Sequence, residues 1–172
     1  MVELLLLAGC FLATPEPEPP SLEALAYERR MEIVRLDGVE LLARREELER
    51  MLLTEADPRM REDLAGTIRF ARDPRSIPVF VAALAVEQDA AVQRRLAACL
   101  LGFREQAAID GVVDRYLRGV DPSVDADFLS GFGGAEPCDV RISVARLSHL
   151  NPERAERILR KVEATSGPAP TP

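Results

Sequence analysis

One spacing limits what this chain can fold into more than any other feature of it. Asp57, Asp89 and Asp121 stand thirty-two residues apart, and each opens a stretch with the same apolar positions. Met60, Val92 and Val124 fall in register, as do Leu64, Leu96 and Phe128, and then Ile68, Leu100 and Phe132. A fixed period of this length, with apolar positions kept and intervening ones free, belongs to chains that stack one supersecondary unit on the next. Inside each unit the apolar residues recur every three to four positions, the spacing of one helical face. The second halves keep register too: Ile77 with Ile109, Val81 with Val113, Leu84 with Tyr116. Residues 79–86 taken alone have the composition of a strand, but their alignment with the helical pattern at 107–117 assigns them to a helix.

The starts of these helices are written in the sequence. Asp57-Pro58 offers a carboxylate to unpaired backbone N–H groups and then a residue with no N–H to leave unsatisfied. The pair recurs at Asp73-Pro74 and Asp121-Pro122, with Asn151-Pro152 as a near relative. The spacing predicts helix pairs at 58–71 with 76–86, 90–103 with 105–119, and 122–132 with 139–149, then a closing helix at 152–163. Upstream, Ser21 caps an amphipathic helix over 22–36, Asp37-Gly38 marks a turn, and a second helix covers 39–55. Leu48 and Leu52 there match Phe80 and Leu84 one period on, but Arg45 and Glu49 stand where Ile77 and Val81 should be. Residues 21–56 are therefore a helical cap or a degenerate repeat. The expected fold is all-α: an α-solenoid of about three antiparallel helix pairs with helical caps, the repeats and closing helix spanning 57–164. The tail at 165–172 has nothing to bury and is expected to be disordered.

Composition narrows the function. The chain is 47% hydrophobic but 5% aromatic with no Trp, so its core is aliphatic and suits helices packed closely together. A net charge of −7 opposes binding to nucleic acid, whose affinity comes from Lys and Arg neutralising phosphates. Three cysteines without CxxC spacing exclude the common zinc frameworks. His149 stands alone, near a helix end and away from any cysteine. Gly131-Phe-Gly-Gly134 follows a helix rather than a strand, so it reads as a turn and not a phosphate loop. Glu136-Pro-Cys138 lacks the second Cys and the upstream His of a deaminase zinc motif. No catalytic, cofactor or metal site emerges, and no small-molecule substrate is expected. A Cys99–Cys138 disulfide is open if the chain is exported.

Residues 1–20 read as a segment outside the fold. The apolar run Leu4–Leu7 leads into Leu7-Ala8-Gly9-Cys10, which resembles the lipobox of bacterial lipoproteins. That resemblance implies removal of the residues before Cys10 and acylation of its thiol. Thr14-Pro-Glu-Pro-Glu-Pro-Pro20 then reads as an extended tether. Residues 73–102, from Asp73-Pro-Arg-Ser-Ile-Pro through Asp89-Ala-Ala-Val-Gln-Arg-Arg-Leu-Ala-Ala-Cys-Leu-Leu-Gly102, resemble the short bacterial HEAT-like repeats also found in phycobilisome lyases. The resemblance covers about residues 57–149. It implies a curved solenoid whose second helices line a concave face, and Arg59, Glu62, Arg69, Arg94 and Arg95 are the polar residues assigned to that face. The family often carries an Arg after the Val of its second helix; Arg61 supplies it once, while Gln93 and Asp125 replace it. An inter-repeat ion-pair ladder is thus expected to be incomplete, with packing carrying more of the stacking. The function expected is a non-catalytic protein-binding scaffold, lipid-anchored through Cys10 in a bacterial cell envelope. The alternatives are a cytoplasmic assembly factor with an apolar tail, or a lyase-like enzyme-associated subunit.

Overall fold

Each of the three periodic aspartates caps a helix or the turn that leads into one. The Asp57 carboxylate accepts from Arg59 N–H at 2.9 Å, and that of Asp89 from Ala91 and Val92 N–H at 2.9 and 3.1 Å. The Asp121 carboxylate accepts from Ser123 N–H at 2.8 Å. The computed structural model describes residues 21–166, in which ten α-helices form and no strand does. They are α1 (Leu22–Val34), α2 (Gly38–Ala43), α3 (Arg45–Thr54), α4 (Pro58–Phe70), α5 (Ile77–Val86), α6 (Ala90–Leu101), α7 (Gln106–Arg118), α8 (Asp125–Gly134), α9 (Pro137–Leu147) and α10 (Pro152–Ser166). The expected signal segment and tether, and residues 167–172 of the tail, lie outside the described residues.

The expected helix at 39–55 is two helices. Arg44 leaves helical geometry (φ −99°, ψ 7°), although neither Gly nor Pro interrupts the sequence there. Its guanidinium bonds Glu47 on α3 and reaches Glu32 on α1 at 3.4 Å. At Asp73-Pro74 and Asp121-Pro122 a single 3-10 turn comes first, and α5 and α8 begin three residues later. At the far end α10 runs to Ser166, so Thr165 and Ser166, expected in the tail, are helical.

Helices alternate between two sets of packing partners. α4, α6, α8 and α10 each pack on the next, with α1 against α4, while α3, α5, α7 and α9 do the same. All nine residues of the triple register are buried. Between the sets lies one apolar cluster that continues from Ile33 to Val162. Within it the Tyr116 ring lies 6.1 Å from that of Phe128 and 5.7 Å from that of Phe132, and Phe80 lies 5.9 Å from Phe103. The close approach of α7 to α5 depends on Gly111, where a Cβ would come within 2.5 Å of Val81.

Sequential pairing differs from expectation. α4 packs on the preceding α3 and hardly on α5, whereas 58–71 was expected to pair with 76–86; α6 packs on α5 and on α7 alike, so the expected partners 90–103 and 105–119 are in contact. α3 contacts α4 and α5 as α5 contacts α6 and α7. Arg45 and Glu49, which break the apolar pattern of α3, are used at this junction. Glu49 accepts from Arg45 at 3.1 Å and from the Ser76 hydroxyl at 2.6 Å, and Arg45 stands 3.6 Å from Asp73. A polar cluster likewise joins α7 to α9: Ser143, fully buried, donates to Asp110 and accepts from Gln106, each at 2.7 Å.

Candidate protein-binding face

The outward side of α4 and α6 is largely polar because both helices spend most of their apolar residues on the core. Arg59, Glu62 and Arg69 stand on α4, and Arg94 and Arg95 on α6. In the pairing read from the sequence α4 and α6 are first helices and not second ones; in the structure they pack on each other. The structure brings four of the five residues into intramolecular contacts of unequal kinds. Arg94 pairs with Asp127 on α8 at 2.8 Å, and Arg95 approaches Glu62 no closer than 3.9 Å. Both pairs are well exposed, a setting in which an ion pair contributes about 0–1 kcal/mol.

Arg69 has a different job from the one assigned to it. Its guanidinium donates to the carbonyls of Cys99 and Gly102 and lies 4.5 Å from the centre of the Phe103 ring. It therefore satisfies acceptors left open at the end of α6, where a helix has carbonyls with no partner of their own. Arg59 is exposed and makes no side-chain hydrogen bond among the described residues.

The position one residue after the periodic Val or Met is where sequence reasoning missed most. Arg61 donates to both oxygens of Glu87 at 2.8 Å, and to the carbonyls of Glu55 and Ala56. Gln93, one period on, donates to the Glu87 carbonyl at 3.0 Å and accepts from Asp121 N–H at 3.3 Å. Asp125, a further period on, pairs with Arg157 of α10. Each member thus bonds to a loop or helix further along the chain, and the ionic ladder is incomplete at Gln93. The signal was present: all three are polar residues at a repeat position flanked by core.

Charge at these bridges follows from geometry. Burial alone would push the Glu87 carboxyl up, but two bonds from Arg61 and the N–H groups of Asp89 and Gln88 more than reverse this and hold it below the usual carboxylate range. Arg61 is correspondingly held more firmly protonated by Glu87. The Tyr116 hydroxyl, buried without a hydrogen-bond partner among the described residues, is pushed up to about 12 by burial and then by the Asp125 carboxylate.

Cys99 and Cys138 are free thiols. Cys99 is buried, its S–H directed at the Ala65 carbonyl 3.6 Å away, while Cys138 is exposed at the start of α9. His149 is exposed in a 3-10 turn. Cys10 lies outside the described residues. Among those residues no helix is long and apolar enough to cross a membrane, and no three ligating side chains gather as a metal site.

Beside this face a groove of about 430 Å³ opens between α1, α2, α4 and α6. Leu41 and Thr67, both buried, line it together with Val34, Leu36 and Phe70, and with Asp63, Gly66 and Arg95. The Arg95 guanidinium lies over Gly66, where a Cβ would stand 3.8 Å from it. No family model, curated protein or solved structure matches this chain.

Proposed function

We propose that this chain is a non-catalytic interaction module, a HEAT-like α-solenoid that presents the outward side of α4 and α6 to another protein. The observation that carries the reading is the recurrence, at one spacing, of cap, core and bridge. Asp57, Asp89 and Asp121 cap, the register beginning at Met60, Val92 and Val124 is buried, and Arg61, Gln93 and Asp125 each reach forward to the next unit. Packing of helices on their second neighbours in the chain agrees with it. In such an architecture each unit is stabilised by its neighbours and the chain can be lengthened by whole units.

Duplicating residues 89–120 tests the architecture. A solenoid accepts the extra unit, keeps its helical circular dichroism and unfolds with a steeper denaturant slope, since more surface is exposed. A chain gathered about a single centre loses cooperative unfolding, and that outcome refutes the reading. The envelope location proposed from Leu7-Ala8-Gly9-Cys10 is tested by feeding cells a palmitate analogue. Label on the wild type and none on Cys10→Ser supports a lipid anchor; an unlabelled, freely soluble wild type returns the protein to the cytoplasm.

A further inference from the structure

The groove beside α4 and α6 combines two features whose joint chemistry specifies an occupant. The first is apolar surface that the fold does not use. Phe70 on the last turn of α4 is 74% exposed and Val34 at the end of α1 is 50% exposed. Single exposed apolar residues are ordinary, but these two converge with Leu36 and the buried Leu41 on one concavity. The second is a charge imbalance at the rim. Asp63 is engaged by Arg30 Nε at 2.6 Å, so the carboxylate is committed. Arg95 is not: its side chain is 48% exposed and its nearest carboxylate, on Glu62, is 3.9 Å away.

The same sign continues along the loops beyond Phe70. Arg72 and Arg104 are exposed, one repeat apart, and form no ion pair among the described residues; Glu105 follows Arg104. Contact between Arg69 and Gly102 holds these two loop tips side by side. An apolar slot with a cationic lip is therefore set into a chain of net charge −7. Resting on the interaction-module reading, we infer that this groove docks a short acidic segment of another protein. An apolar side chain enters between Val34 and Phe70, and a neighbouring carboxylate meets Arg95. Anchors of this kind, an apolar group in a slot beside a guanidinium, supply most of the energy in small interfaces.

The probe is a phage-displayed library of random dodecamers selected on the full chain, with the best peptide then titrated by fluorescence anisotropy. The expected consensus is an aromatic or aliphatic residue with Asp or Glu within one helical turn of it. Phe70→Ala, a change at an exposed site, weakens that peptide about tenfold or more. Arg95→Glu weakens it similarly, and the same peptide with its acids changed to Lys regains affinity for Arg95→Glu alone. A basic consensus, or an acidic peptide whose affinity survives both substitutions, overturns the inference. Peptides that bind but compete at another surface sink the groove while leaving the interaction module standing; a library that yields no binder counts against both.

Discussion

Glu87→Ala asks whether one buried ion pair fastens two successive units. Glu87 is 7% exposed. Its carboxylate takes two bonds from Arg61 at 2.8 Å and one each from the N–H groups of Gln88 and Asp89 at 2.9 and 2.8 Å. The substitution leaves a largely buried guanidinium with only the Glu55 and Ala56 carbonyls, and two backbone donors without their partner. Removing one member of a buried pair costs about 3–5 kcal/mol. Arg61 retains some access to water and the loop N–H groups can reach it, so the lower end applies, about 3 kcal/mol. Urea titration should show an unchanged slope and, for a slope of about 2 kcal/mol/M, a midpoint lower by about 1.5 M. Arg61→Leu with Glu87→Leu should be less damaging than the sum of the two singles, because neither charge is then stranded. The sign with pH is fixed by the same geometry. The folded carboxyl lies below its unfolded value, so its contribution is complete above about pH 4.3 and disappears as pH falls through the folded value. The deficit of Glu87→Gln against wild type should accordingly shrink in acid. A Glu87→Ala protein within about 0.5 kcal/mol of wild type would refute the bridge.

Three further outcomes follow from the packing and the backbone. Leu96→Ala removes a fully buried side chain at the middle of the triple register and should cost about 2–5 kcal/mol by chemical denaturation, more than any exposed substitution on α6. Arg72 and Arg104 hold φ of 53° and 59°, a region that costs a side-chain-bearing residue energy and glycine almost none. Replacing either by Gly should therefore raise stability by about 0.5–1 kcal/mol, read as a higher midpoint, and a lowered midpoint would place the loop's energetics elsewhere. Tyr116 should ionise near pH 12 in an ultraviolet titration. Because that is above the value of an unfolded phenol, its burial stabilises the fold below about pH 10, and the contribution is lost as pH rises towards 12.

The apolar half of the structure was legible and much of the polar half was not, for a physical reason. Leu64, Leu96 and Phe128 do the same work by filling the same space, so residues of one class recur and the period is visible. Caps are equally legible, because few side chains reach an N–H two residues on, and Asp57, Asp89 and Asp121 repeat unchanged. The helix break at Arg44 was invisible because neither Gly nor Pro marks it. The expected pairing of 58–71 with 76–86 failed because a repeat read from sequence has no marked beginning; α4 rests on α3 instead, and only coordinates reveal that choice. On the candidate face, sequence located Arg94 and Arg95 correctly on an exposed surface but could not separate them from Arg69, which is occupied by the end of α6. Phe70 was missed for the opposite reason: an apolar residue at a helix end looks like core until its exposure is known.

Position 61/93/125 shows what a period can conserve without conserving a residue. A guanidinium there takes a carboxylate from the following unit, an amide bridges a carbonyl to the next cap's N–H, and a carboxylate takes a guanidinium. Each solution meets the same requirement, that polar groups enclosed between helices find partners, and each has its own electrical consequence. The central bridge at Gln93 is neutral, so neither acid nor salt acts on it directly, while the bridges on either side are ionic. Charge was thus distributed by local need at each junction and not by the period. That is why Asp63 and Arg95, one period apart, can end with the carboxylate matched by Arg30 and the guanidinium only loosely paired with Glu62. Chemistry available to a partner then arises where the period's bridging is incomplete, beside an aromatic the core did not take up.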